Sequence, residues 1–133
     1  MAANLEGFLG VFAEGFYLDD PTIREAVRCR DMFNVIHLEL AVKLDFMVLK
    51  DTEYRRLELS RRQRLETPGG PVWVVSPEDL ILSKLVWSAR SRSEQQRQDV
   101  VNVVASVPTL DWDYLERWAG ELAVAEQLSE VRP

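Results

Sequence analysis

Two apolar stretches sit back to back in this chain: FNVIHLEL over Phe33–Leu40 and VKLDFMVL over Val42–Leu49, with only Ala41 between them. Each alternates with the period of two that a pleated strand imposes. Parallel strands need a crossover of a dozen or more residues, so this pair can form only an antiparallel hairpin. Its turn is expected at Leu40-Ala41, where a glycine would be easier. Val42, Leu44, Phe46 and Val48 make one face of the second strand. The other face, Lys43, Asp45, Met47 and Leu49, is mostly apolar as well, which predicts a strand covered on both sides. A carboxylate there is costly unless something pairs with it, and that singles out Asp45.

The remaining punctuation places helices and strands around this hairpin. Leu5, Phe8, Leu9 and Phe12 recur at helical spacing within Asn4–Gly15, and Phe16–Leu18 reads as a short extended piece. Asp20 is expected to cap a helix that begins at Pro21. Glu53–Arg62 reads as a polar helix, and Gln63–Glu66 and Val72–Val75 as strands around the turn signal TPGGP. The clearest boundary is Ser76-Pro77-Glu78-Asp79, a capping hydroxyl followed by proline and first-turn acids. The helix it opens, DLILSKLVWSA, is apolar nearly all round and so is expected to be buried on several sides. EQQRQDVVNVVASV follows and stops before Pro108, and one last helix is expected from Asp111 to Val131. This order predicts an α+β fold: a small, mostly antiparallel sheet with flanking helices, then a helical C-terminal region. Residues 1–75 would form the sheet region and 76–133 the helical region packed on it, as one compact domain.

Composition bounds what such a chain can be. With 133 residues, 47% apolar and 29% charged, it suits one globular domain with a real core. No apolar run approaches the roughly 20 residues that span a bilayer, and the start MAANLEGFLGVFAEGF lacks a basic leader. No membrane association and a cytoplasmic location are the expectations. The single cysteine, Cys29, leaves no internal disulfide and no cysteine-built zinc site, and reads as a small helical residue. The net charge of −6 divides into −4 for residues 1–49, +2 for 50–99 and −4 for 100–133. The one basic run, Arg55–Arg64, lacks interleaved aromatics beyond the preceding Tyr54 and reads as a solvated helix, which weighs against nucleic acid as a partner.

Four side chains are candidates for chemistry. Asp45 reads either as half of an ion pair with Lys43 or His37, or as a metal-binding or proton-accepting carboxylate on a rigid strand. His37, the only histidine, cannot build a metal site alone and reads more readily as a packed, hydrogen-bonded side chain. Lys84 falls in the apolar arc of its helix, so its ammonium must snorkel to water or meet an anion such as a phosphate. Asp99 lies at the edge of the stripe Val100, Val103, Val104 and Val107, a position that needs no special explanation. Phosphate-loop, dinucleotide, nucleophile-elbow and zinc-helix signatures are missing from the sequence.

Taken together, FNVIHLELAVKLDFMVLKD, VWVVSPEDLILSKLVW and EQQRQDVVNVV resemble the nucleotidyltransferase-like proteins related to AbiEii-type abortive-infection toxins. The resemblance runs from about Phe16 to Leu122, and SPEDLIxxKL is its most specific stretch. It implies a polymerase-beta-like nucleotidyltransferase core with Asp45 as the third metal carboxylate, Lys84 near the nucleotide phosphates, and Asp99, beside Arg97, as the acidic residue of the next helix. It also implies magnesium, since phosphoryl transfer between two oxygens uses two metal ions held by converging carboxylates. The family's Gly-Ser loop and Asp-x-Asp pair are missing from residues 1–41. The chain is therefore expected to start after the strand that carries them. The expectation is a nucleotidyltransferase-like protein, catalytically incomplete on its own, with a residual site for a nucleoside triphosphate around Asp45 and Lys84. It would be an enzyme only if an upstream segment or another chain supplied the missing carboxylates. The alternative is a non-catalytic interaction module, a toxin–antitoxin-like partner or half of a split enzyme. In the first reading the sheet has lost a strand or two, and a homodimer that covers the exposed edge is expected.

Overall fold

The computed structural model describes residues 2–132, with side chains from Asn4 onward. Contacts group the chain into two compact units, Met1–Asp51 and Thr52–Pro133.

In the first unit, α1 (Ala2–Val11) is followed by a reversal through Gly15, whose φ of +78° suits a residue without a Cβ. β1 (Phe16–Tyr17) leads to α2 (Asp20–Cys29). The flanking cap of α2 is Asp19 rather than Asp20: Thr22 donates its hydroxyl to the Asp19 carboxylate, and Pro21 sits in the first turn. β2 (Met32–His37) and β3 (Val42–Met47) then form the expected antiparallel hairpin, Phe33 opposite Phe46 and Ile36 opposite Lys43. β1 pairs with the other side of β2, giving the order β1-β2-β3. The turn is wider than expected. The first strand stops at His37, and residues 38–41 form the loop, with Ala41 in the left-handed region at φ +52°. His37 makes this possible without glycine, its Nδ1 accepting the Leu40 N–H at 3.2 Å.

Ile23, Ala26, Phe33 and Val35 are the buried centre of this unit. Phe8, Phe12, Phe16 and Phe46 pack around them, with Phe8 edge-on to both Phe33 and Phe46 at 5.5 and 5.0 Å between ring centres. The helices thus cover only one face of the sheet. Met32, Asn34, Lys43, Asp45 and Met47 are exposed on the other, with Met47 at 63%. The prediction that β3 is covered on both sides is therefore corrected: apolar residues line its second face without being buried.

In the second unit, α3 (Glu53–Ser60) is capped by Thr52, whose side chain accepts the Arg55 N–H at 3.3 Å. β4 (Gln63–Thr67) and β5 (Gly70–Val74) form a hairpin of their own. Pro68 and Gly69 make its loop, and Gly70 takes a φ of +108° that L side chains rarely adopt. The strands of the chain thus make two antiparallel sheets rather than one. α4 (Pro77–Ser91), α5 (Glu94–Ser106), α6 (Trp112–Glu121) and α7 (Ala125–Val131) follow. Ile81, Leu82 and Leu85 of α4 are fully buried with Val100, Leu115, Ala119 and Val124, whereas Trp87 is exposed, so α4 keeps one open side. The class is α+β, as expected.

The single helix expected over Asp111–Val131 is two. Ala123 adopts φ +57°, its N–H bonds to the Gly120 carbonyl at 3.2 Å, and the Val124 N–H bonds to the Ala119 carbonyl at 2.8 Å. This is a Schellman C-cap built on alanine. The break turns Val124, Leu128 and Val131 into the core, which a straight continuation of α6 would not do.

Candidate functional site

Helix α4 starts where its sequence demands. The Ser76 hydroxyl accepts the Asp79 N–H at 3.2 Å, Pro77 fills the first turn, and the next two turns bury Ile81, Leu82 and Leu85. Lys84 lies among these buried positions at the helix's margin. The chain turns back at Arg92, which takes φ +53°, and α5 begins under the Ser93 cap. That reversal brings Asp99 beside Lys84. The Lys84 ammonium donates to Asp99 Oδ2 at 2.7 Å and to Gln96 Oε1 at 3.0 Å. Gln95 donates to the other Asp99 oxygen at 2.9 Å. The hydrogen bond from Lys84, then that from Gln95, holds the Asp99 carboxyl below the usual aspartate range. The two side chains are 24% and 31% exposed, so the pair is partly open to solvent. Arg97, its neighbour in sequence, turns to Glu94 instead, at 3.2 Å.

Asp45 belongs to the other unit. Its side chain is 46% exposed and pairs with Lys43 at 3.2 Å. Its cross-strand neighbour is Asn34, while His37 lies opposite Val42. His37 is thus no partner of Asp45; it holds the turn and meets Phe16 edge-on at 4.7 Å. Cys29 ends α2 exposed, its thiol donating to Glu25 at 3.2 Å.

The basic run Arg55–Arg64 is largely used within the protein. Arg55 donates to Glu58 at 2.6 Å and to Ser83 at 2.9 Å. Arg62 lies over the Trp73 ring at 4.7 Å, and Arg64 pairs with Glu66 at 3.2 Å. Arg61 leads to a centre that the sequence pattern did not single out. Asp79 is fully buried, and both its oxygens are taken. Oδ1 accepts the hydroxyls of Tyr114 at 2.6 Å and Tyr54 at 3.2 Å; Oδ2 accepts Ser76 Oγ at 2.6 Å and Arg61 Nε at 3.1 Å. The Arg61 guanidinium stacks over the Tyr114 ring at 3.9 Å. Next to it, Glu78 accepts from Arg61 at 3.5 Å and from the Asp111 N–H at 3.2 Å. A carboxylate with four donors is a saturated structural hub with no lone pair turned toward a ligand. Its sequence signal, an acid three residues after a capping serine, is common to ordinary helix starts.

A shallow groove of about 240 Å³, lined by Trp112, Glu116, Ala119, Leu128 and Arg132 among others, lies along α6 and α7. It is smaller than the roughly 300–1,000 Å³ of typical ligand pockets. Among the described residues, no three carboxylate, imidazole or thiolate groups converge as a metal site would require, and no helix is long and apolar enough to cross a membrane.

Compared with protein-family models, curated proteins and solved structures, the chain matches none.

Proposed function

We propose that this chain is a nucleotidyltransferase-like protein, catalytically incomplete on its own, that binds a magnesium–nucleoside triphosphate weakly at Lys84 and Asp99. One observation supports this reading. Lys84, which the sequence resemblance sets near the nucleotide phosphates, and Asp99, the acidic residue it expects on the next helix, stand 2.7 Å apart and partly exposed to solvent. A magnesium–triphosphate carries both signs of charge. Its phosphate oxygens suit Lys84, and its metal suits the Asp99 carboxylate. One carboxylate fits such a metal, because Mg²⁺ is commonly held by one or two carboxylates plus substrate phosphates and water. The missing carboxylates explain why binding would not lead to transfer.

The test is a titration with Mg²⁺ and labelled ATP, CTP and GTP on the wild type and on Lys84→Ala and Asp99→Asn. Saturable binding that requires Mg²⁺ and is lost in the Lys84 and Asp99 variants is the expected result. Absence of binding at millimolar nucleotide would sink the proposal.

A second reading, a non-catalytic interaction module, rests on the sheet of the first unit. Its outer face exposes Tyr17, Met32 and Met47 around the Lys43–Asp45 pair, an apolar surface with a charged centre that suits a protein partner.

A further inference from the structure

β3 is the last strand in the order β1-β2-β3, so among the described residues one of its two edges carries no strand. The pairing pattern shows which of its residues turn their backbone to that edge. The Val48 N–H bonds to the Asp31 carbonyl at 3.1 Å, and Asp31 and Val48 continue the β2–β3 register. Hydrogen-bonded pairs alternate along an antiparallel ladder. Val42, Leu44 and Phe46 therefore bond inward to β2, and Lys43, Asp45 and Met47 present their N–H and C=O groups outward.

A second copy of β3, running antiparallel about a two-fold axis, can bond only through these outward residues. Among the registers that satisfy that condition, the three centred on residues 43, 44 and 45 set charged side chains opposite one another. Lys43 opposite Lys43 sets like charges together, and so does Asp45 opposite Asp45. The remaining register, centred on Leu44, puts each Lys43 across from the other chain's Asp45. It forms two identical ion pairs on the open face, sets Leu44 against Leu44, and sets Val42 against Phe46 on the helix-covered face. Like charges directly opposite are destabilising and opposite charges stabilising, so one register is selected and its neighbours are rejected. A mid-strand lysine ordinarily guards an edge against pairing. Here the lysine and the aspartate two residues later cancel in one arrangement only.

We infer that the β3 edge is a self-association surface, in which two copies join their three-stranded sheets through antiparallel β3–β3 pairing centred on Leu44. This deepens the interaction-module reading by naming the partner as a second copy, and it is independent of nucleotide binding. The contact is isologous, so each substitution acts twice. The paired segment is short, which makes the dimer weak and concentration-dependent.

Sedimentation equilibrium under reducing conditions, at chain concentrations up to about 1 mM, tests this with a charge swap. Lys43→Asp and Asp45→Lys are each expected to weaken the wild-type dimer at least about tenfold. Mixing the two variants is expected to restore dimers, since one presents two acids and the other two lysines. The doubly swapped chain, Lys43→Asp with Asp45→Lys, is expected to dimerise like the wild type. Amide exchange at Lys43, Asp45 and Met47 should slow as concentration rises. Recovery in the mixture also shows that both single variants are folded. A wild type that stays monomeric throughout overturns the inference, and so does a dimer indifferent to both swaps. If a different protein binds the same face while self-association fails, the interaction reading survives and the second-copy assignment does not.

Discussion

Removing the Asp79 carboxylate should be the most damaging single polar change in the second unit. Asp79→Ala leaves four donors without their acceptor, but not all are equally harmed. Arg61 is about one-third exposed, retains Glu78 at 3.5 Å, and still lies over Tyr114. The Tyr114 hydroxyl is only part-buried and can reach water. The Tyr54 hydroxyl is inside the core and keeps only a long contact to the Asp79 carbonyl at 3.5 Å. Ser76 is equally buried. Two orphaned buried hydroxyls cost about 1–3 kcal/mol each, and the variant no longer has to desolvate a carboxylate. The net expectation is about 3–4 kcal/mol, at the lower end of the 3–5 kcal/mol typical of breaking a buried charged pair. For a unit of this size that lowers the melting temperature by roughly 15–25 °C. The four tryptophans, Trp73, Trp87, Trp112 and Trp118, all lie in this unit, so urea unfolding followed by tryptophan emission reports on it selectively. Tyr114→Phe removes one donor of four and should cost about 1 kcal/mol. In the double variant the two losses should fall short of additivity by up to about 1 kcal/mol, because they share one bond network. A loss under about 1 kcal/mol for Asp79→Ala, or strict additivity, would refute the reasoning.

Two further perturbations follow from the same unit. Burial, then the nearby Asp79 charge, raises the Tyr54 hydroxyl pKa well above the ordinary tyrosine range; burial and the hydrogen bond to Asp79 do the same for Tyr114. Unfolded tyrosines lose their protons first, near about pH 10. Stability is thus intact below that value and falls as pH rises above it, by at most about 1.4 kcal/mol per pH unit for each residue. Urea midpoints measured from pH 8 to 11.5 should show this slope, and the Tyr54→Phe and Tyr114→Phe double variant should flatten it. Ala123→Gly relieves a left-handed alanine in the Schellman cap between α6 and α7, at an exposed position. After the greater freedom of the unfolded glycine is deducted, a gain of about 0.5–1 kcal/mol is expected, read as a higher urea midpoint; no gain would mean that the backbone there is not strained.

Local chemistry made much of the fold legible. The β2–β3 hairpin followed from having one residue between two alternating runs, and the start of α4 from serine, proline and two acids in order. The features that were misread depend on conformations that no local residue advertises. Ala41 and Ala123 occupy left-handed backbone without being glycine. Each is held there by bonds from elsewhere, His37 in the first case and the C-cap carbonyls of α6 in the second. The Lys84–Asp99 pair was half legible. A lysine in an apolar arc does call for an anion. Which anion depended on how the Arg92 reversal sets α5 against α4, and an aspartate at the margin of a valine stripe gave no hint of it.

Asp45 and Asp79 show where the signal for a buried charge goes wrong. Asp45 looked buried because its strand neighbours on both faces are apolar, yet apolar residues commonly remain at protein surfaces, and Met47 and Leu49 do so here. Asp79 looked ordinary because first-turn acids usually face water. It is nevertheless the fully buried one, since Tyr54 and Arg61 arrive from before it and Tyr114 from well after it to fill both oxygens. A carboxylate is buried where enough donors converge to replace water. That condition concerns residues distant in sequence, so the apolar character of immediate neighbours is a weak guide to it. In this chain, the candidate with the more suggestive local pattern is consequently the exposed one, paired with Lys43 on the same face of β3.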